Sequence, residues 1–356
     1  MSRVRLTIIL FACIAAGVSP KGLADEATKA SPPAPRCFAL LVGGAPGTAM
    51  NARHYANWLG RFQAQLKASV SSPEDLMILT PQQEVAGRTG EATGPVILDA
   101  ISNLVARVTP QDQFVLVLIG HGQTDGSLAI PGPDLAPAVI AEALKPMAAK
   151  RQIVLGFSAC SGAMIPELVK PGRIIIASHA AGQTSDTEFA EFFLMALEAP
   201  RPVNAAEPAG AAPQPASLLE IFNTASYEYA QWVVRQQLAG EGAGQGWIVQ
   251  GGKAREIYRR LYGEDDVPES KRMSSTNKEG EEDVVLPLSP GVNPDVAFWS
   301  GRRLPNGTPS LEDTGKSDGV SSLTADKHEP ITGSKGGGIG MVAKRTILGR
   351  PEGYAK

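Results

Sequence analysis

Cysteine and histidine are scarce in this sequence of 356 residues, which has three cysteines and four histidines. Once the N-terminal segment described below is removed, Cys37 and Cys160 remain, too few for a disulfide-built scaffold. Cysteines and histidines do not occur at metal-binding spacing, and there is no HExxH motif. The sequence therefore predicts a domain held together by its own hydrophobic core, with no cofactor and no metal.

An excess of charge of one sign is also lacking. The net charge is −3 at pH 7, and no cluster of lysines and arginines with interleaved aromatic residues occurs. Nucleic-acid binding needs such a positively charged surface, so the sequence predicts that nucleic acid is not a partner. The hydrophobic content of 43% is ordinary for a globular protein.

Long hydrophobic runs are absent, and a short one occupies residues 6–18. Two arginines precede it and small residues follow it up to Ala24, which is the pattern of a secretory signal peptide cleaved after that residue. The run is shorter than the roughly 18 residues typical of a membrane span. We interpret residues 1–24 as a signal peptide and 25–36 as a linker, and expect an exported protein, periplasmic or extracellular, with no stable membrane span. A lipoprotein anchored through Cys13 is the alternative.

Apolar runs of strand length alternate with helical patterns from Cys37 onward. Near-continuous Val, Ile and Leu strands separated by helices are typical of a parallel sheet covered on both faces. The sequence predicts an α/β, three-layer fold with a mostly parallel central sheet flanked by helices. The predicted strands are 37–43, 75–80, 113–120, 151–158 and 172–178, and the predicted helices are 51–68, 94–108, 136–149 and 187–197.

The later part of the chain changes composition twice. Residues 199–217 are rich in Pro and Ala and predict a flexible insert, and the domain is expected to span 37–263. From 264 to 356 the chain is rich in Ser, Gly, Pro, Asp and Lys, which predicts a low-complexity, disordered tail. Between these parts, the pattern predicts a helix over 217–238, a strand over 246–250 and a helix over 253–263.

A histidine and a cysteine follow two neighbouring predicted strands. His121 comes directly after one strand and Cys160 after the next, and the carboxyl ends of parallel strands form the usual site edge of such a sheet. Taken alone, His121 is better explained as a histidine in a turn and Cys160 as an inert thiol. Together they predict a catalytic pair, in which the histidine deprotonates the thiol and then protonates a leaving amine. The N–H groups of Gly122 and Cys160 are candidate donors to the oxyanion.

Four segments together resemble the legumain (asparaginyl endopeptidase) family of cysteine peptidases, which has a caspase-type fold. They are "NARHYANWL", "IGHG", "SACSG" and "IIIASHAAGQTSD". The resemblance implies a cysteine endopeptidase acting on protein or peptide substrates, with Cys160 and His121 catalytic and Asn51 orienting the histidine. It also implies that Arg53 and His54 line the pocket for the substrate's P1 side chain. Thr184 and Ser185 match the family's Ser-Ser pair and are further pocket candidates.

One pocket position departs from the family pattern. The legumain branch has an acidic residue two positions before the nucleophile, and here that position is Ser158. A serine removes an acceptor for the amide of a P1 asparagine and also removes repulsion against a P1 carboxylate. We therefore expect a small polar P1 residue, Asn or Asp. Transamidation uses the same machinery and stays open.

Two alternatives compete with the peptidase interpretation. The segment "GFSAC" is close to the G-x-S-x-G nucleophile elbow, which would make the protein a serine hydrolase of α/β-hydrolase type using Ser158. That mechanism needs a late histidine, and the candidates are His179, only about twenty residues on, and His328 in the tail. The other alternative is a catalytically inactive caspase-like binding module. Cys37 opens a strand and is interpreted as a passive core thiol under all three.

Overall fold

A parallel sheet with helices on both faces forms the body of the protein in the computed structural model. The structure describes residues 34–184, 188–199, 215–240, 309–314 and 342–351, and short strands at 246–249, 272–276, 282–287 and 321–322. The strands are β1 (Cys37–Gly43), β2 (Leu76–Leu79), β3 (Gln113–Ile119), β4 (Arg151–Phe157), β5 (Arg173–Ala177), β6 (Gly246–Val249), β7 (Arg272–Thr276), β8 (Glu282–Pro287), β9 (Ser310–Glu312) and β10 (Ser321–Ser322). The helices are α1 (Ala49–Lys67), α2 (Gly94–Val105), α3 (Pro137–Ala143), α4 (Ile165–Leu168), α5 (Phe189–Glu198) and α6 (Leu218–Gly240).

The main sheet has seven strands in the order β10-β9-β5-β4-β3-β1-β2. Its five strands from β1 to β5 are parallel, and β9 and β10 are antiparallel. A second sheet has the order β6-β8-β7 and is antiparallel. The predicted strand at 246–250 is thus present as β6, whereas the predicted helix at 253–263 lies outside the described residues.

Two hydrophobic clusters cover the two faces of the main sheet. Alternate residues of β1 point to opposite faces, so Cys37, Ala39 and Leu41 belong to one cluster and their neighbours Phe38 and Leu40 to the other. Helices α1, α5 and α6 supply the first cluster, and α2, α3 and α4 supply the second. Burial on both faces is the reason why these strands read as near-continuous apolar runs. The predicted three-layer α/β fold is confirmed.

The prediction that the folded domain ends near 263 is wrong, because strands β7, β8, β9 and β10 and residues 342–351 lie beyond that position. Strand β9 adds antiparallel to β5, and Leu311 is fully buried. Residues 342–351 return to the start of the sheet, where the Gln113 side chain donates to the carbonyl oxygens of Ile347 and Arg350, both at 3.0 Å. A strand with one core-facing leucine gives no periodic signal in a polar region, which explains the error.

Several other sequence predictions fall on residues that the structure leaves undescribed. The predicted signal peptide and all but residues 34–36 of the linker lie outside the described residues, as do residues 200–214 of the predicted insert. Within the described part of the chain, no helix is both long enough and apolar enough to cross a membrane.

Candidate active site

The register of β3 on β4 brings the histidine and cysteine segments to the same edge of the sheet. The two strands are parallel and Ile119 pairs with Phe157, so His121 and Cys160 lie two and three residues beyond paired positions. The segments touch, because a Cβ added at Gly122 would overlap the carbonyl oxygen of Ala159. Only a glycine permits this close approach. As a result, the backbone after His121 lies directly against the turn that carries Cys160.

Cys160 stands on a sharp turn between β4 and a short 3-10 helix at Ser161–Met164. Its φ of 51° is in the left-handed region, and among the described residues no other non-glycine residue has a positive φ. Such a conformation costs on the order of 1–3 kcal/mol and persists where the surroundings enforce it. Here the N–H of Gly162 donates to the carbonyl oxygen of His179 at 2.8 Å, which ties the turn to the segment after β5.

The His121 ring is held on its Nε2 side by two groups. Nε2 lies 2.8 Å from the carbonyl oxygen of Pro46 and 3.2 Å from the Asn51 amide. A carbonyl oxygen can only accept, so Nε2 carries the proton and the lone pair of the neutral ring is on Nδ1. The Asn51 atom at 3.2 Å is Nδ2, and a half-turn of the amide would present its oxygen to this N–H instead. This tautomer leaves Nδ1 as the basic atom.

Asn51 owes its position to the start of α1. The helix begins after Thr48, whose side-chain oxygen accepts the N–H of Asn51 at 3.1 Å as an N-cap. The Asn51 side chain is buried, and Tyr55, one turn on, meets the His121 ring edge-on with centroids 6.1 Å apart. The first two turns of α1 therefore support one side of the imidazole.

The thiol and the backbone N–H of Cys160 share one acceptor. The N–H donates to the carbonyl oxygen of Gln183 at 2.7 Å, and Sγ lies 3.1 Å from the same oxygen. Cys160 is fully buried in this arrangement, whereas His121 and Gly122 are partly exposed. The N–H of Gly122 has no hydrogen-bond acceptor among the residues that the structure describes.

A buried polar network lies beneath the cysteine turn. The Ser161 and Ser178 hydroxyls are 3.2 Å apart, and the N–H of His179 donates to Ser161 Oγ at 3.2 Å. Nδ1 of His179 is 3.1 Å from the carbonyl oxygen of Ser158. These polar contacts hold the backbone on both sides of Cys160 in place. The sequence analysis did not predict this role of Ser161 and Ser178. It also did not predict the acceptor role of the Pro46 and Gln183 carbonyl groups, because every residue has a backbone carbonyl and the sequence does not show where it points.

The predicted pocket residues that the structure describes make no polar contact with one another. Arg53 is exposed and makes no hydrogen bond or ion pair within the described part of the chain, and His54 packs on Trp58 with ring centroids 5.6 Å apart. Ser158 is buried, and its Oγ has no hydrogen-bond partner among the described residues. Thr184 is exposed, and Ser185 lies outside the described residues.

The other cysteine of the domain is in the core. Cys37 is fully buried in β1, and both it and Cys160 are free thiols. Burial, with a smaller contribution from the nearby Asp112 carboxylate, raises the pKa of Cys37 from its ordinary 9.0 to about 12. No group of three or more His, Cys, Asp or Glu side chains suited to a metal ion occurs among the described residues.

The fold and this edge of the sheet define a three-layer α/β protein with a cysteine and a histidine on adjacent strand ends. No family model and no curated protein match the sequence. Among solved structures, the chain is similar to protein GSU0716 from Geobacter sulfurreducens, with a TM-score of 0.37 and 14% sequence identity. That match covers 55% of this chain and 89% of the other.

Proposed function

We propose that the protein is a cysteine endopeptidase that works through Cys160 and His121. The observation that carries the proposal is the combination of a cysteine in a left-handed turn with a histidine whose Nε2 faces the carbonyl oxygen of Pro46 at 2.8 Å. An imidazole held in this tautomer presents a basic Nδ1, which is what a thiol nucleophile needs from its partner. The resemblance of the four sequence segments to the legumain family supports the same assignment.

The reaction follows from these groups. His121 takes the thiol proton, and Cys160 Sγ forms a bond to the scissile carbonyl carbon while the carbonyl electron pair moves to oxygen. When the resulting intermediate collapses, the C–N bond breaks and the leaving amine takes the proton from His121. Water, activated by the same histidine, then hydrolyses the thioester and restores the thiol. An amine in place of water would give transamidation.

The oxyanion needs donors that are fixed before the reaction. The N–H of Gly122 is a candidate because it is beside the cysteine turn, and the N–H of Cys160 is a second candidate once its bond to Gln183 is released. One such donor is worth roughly 2.7–4 kcal/mol in mutational data on other enzymes. For the P1 side chain we propose Asn or Asp, with Arg53 supplying donors from the second turn of α1.

The serine hydrolase alternative has less support. The Ser158 hydroxyl is buried, and the nearby His179 meets the Ser158 carbonyl oxygen rather than its hydroxyl. A serine nucleophile needs a histidine within hydrogen-bond reach of Oγ.

The test is digestion of a peptide library by the purified protein, with products read by mass spectrometry. Cleavage by wild type that disappears in Cys160→Ala but remains in Ser158→Ala is the expected result. Loss in Ser158→Ala with retention in Cys160→Ala would support the serine hydrolase instead. No cleavage by any form would support the inactive binding module. The cleavage sites also give the P1 residue, and cleavage after Lys or Arg would contradict the proposed pocket.

A further inference from the structure

One backbone oxygen of the protein contacts both the backbone N–H and the thiol of Cys160. The carbonyl oxygen of Gln183 accepts the Cys160 N–H at 2.7 Å and lies 3.1 Å from Sγ. In the proposed reaction, the N–H would bind the developing oxyanion and the thiol would attack the carbonyl carbon. The Gln183 carbonyl is therefore an amide carbonyl of the protein itself, and it occupies the Cys160 N–H that the proposed reaction would offer to the carbonyl of a peptide substrate.

The segment that carries this carbonyl is a small self-closed turn, residues 180–183, which we call the Gln183 loop. The side-chain Oε1 of Gln183 accepts the N–H of Ala180 at 2.9 Å, and the N–H of Gln183 donates to the Ala180 carbonyl oxygen at 3.3 Å. Gly182 has a φ of 81°, which the turn requires. Ala181 and Gly182 are exposed, whereas Cys160 beneath the loop is fully buried.

We propose that the Gln183 loop is a self-inhibitory cover that must move away from Cys160 before a peptide can bind. The inference rests on the proposed function, because it takes Cys160 as the nucleophile. A substrate carbonyl is chemically the same acceptor as the Gln183 carbonyl, so substrate and loop compete for the same N–H. The loop is short and exposed at its tip, so opening it should cost less than unfolding an element of the core. While closed, it also shields the thiol from oxidants.

Alkylation of Cys160 by iodoacetamide tests the cover without requiring any peptidase activity. The full chain is labelled under native conditions, and the modified peptide is followed over time by mass spectrometry. Gly182→Ala places a Cβ at a positive φ, which disfavours the closed loop and should speed alkylation of Cys160 about 5- to 30-fold. Gln183→Ala removes the bond to Ala180 and should speed it about 2- to 13-fold.

The chain offers a matched control for the glycine variant. Gly132 also has a positive φ, 95°, and like Gly182 it has no atom within 4 Å of an added Cβ. Gly132→Ala places a Cβ at a positive φ in a different loop, between β3 and α3, so it should leave the alkylation rate at the wild-type value. Cys37 is an internal control in every sample, because a fully buried thiol with a raised pKa should stay unmodified while the protein is folded.

The outcomes separate this inference from the proposed function. Equal alkylation rates in wild type, Gly182→Ala and Gln183→Ala would overturn the cover, and so would an equal increase in Gly132→Ala. If wild type cleaves peptides but these rates are equal, the peptidase stands and the cover fails. A third outcome is faster alkylation in both loop variants with no peptide cleavage by any form. In that case the loop does cover Cys160, but the protein is not a peptidase and the loop has no inhibitory role.

Discussion

Replacing Asn51 by alanine should slow peptide cleavage without unfolding the protein. The Asn51 amide lies 3.2 Å from Nε2 of His121, and the Pro46 carbonyl oxygen lies 2.8 Å from the same atom. The variant loses one of these two partners, and one hydrogen bond is worth about 0.5–1.5 kcal/mol net. If that energy orients the ring for proton transfer, kcat falls about 2- to 13-fold. KM should change little, because Asn51 contacts the histidine rather than the substrate.

The control for this variant is Asn57→Ala. Asn57 is in the same helix but exposed, so it carries the same loss of an amide without the contact to His121. The measurements are kcat and KM on the best peptide from the library, together with Tm to verify folding. An unchanged kcat in Asn51→Ala would refute the positioning role, as would an equal decrease in both variants. Decreased Tm together with unchanged kcat would assign Asn51 to stability alone.

Three further predictions concern the thiols and the returning tail. Cys160→Ala should abolish both peptide cleavage and the iodoacetamide adduct formed at this position in the native protein. Ser158→Ala should keep much of the cleavage activity, and kinetic assays of both variants will check this. Cys37→Ala should cost roughly 1 kcal/mol in urea unfolding and leave kcat unchanged. Because the pKa of Cys37 is raised in the folded state, only the unfolded thiol ionises between pH 9.0 and about 12, so wild type should lose stability across that range more steeply than Cys37→Ala. Leu311→Ala should cost about 2–5 kcal/mol, as for a buried leucine in a packed core, and an unchanged Tm would contradict the packing of β9 on β5.

The order of the layers could be predicted from the sequence because buried parallel strands have a strong signature. Strands such as β3 and β4 are apolar after their first one or two residues, since each face is covered by helices. Strand β9 lacked that signature. It has three residues and lies second from one edge of the sheet, and its partner β5 precedes it by more than a hundred residues in the chain. Local periodicity contains no information about a contact at that separation.

The candidate site could be predicted where side chains of distinctive chemistry follow strand ends. His121 and Cys160 lie where the alternation of strands and helices places them, and Asn51 contacts His121 as the family resemblance implies. The covering of Cys160 by Gln183 could not be predicted, because a carbonyl group is common to every residue and its direction depends on the turn. The exposed position of Arg53 depends on where α1 starts and how it is rotated, which sequence spacing leaves undetermined.

The return of the later segments to the sheet has a consequence for when the protein can fold. Gln113 sits at the start of a central strand, yet its side chain is paired with backbone groups at Ile347, Gly349 and Arg350, more than two hundred residues later. Closing loops of this length is slow, because the loss of chain entropy comes before the contacts form and stabilise the fold. A ribosome that has released only the first two hundred residues has therefore produced a sheet with an open edge at β5 and an unsatisfied glutamine at its base. The complete sheet, with these glutamine contacts made, forms only after synthesis has passed residue 350.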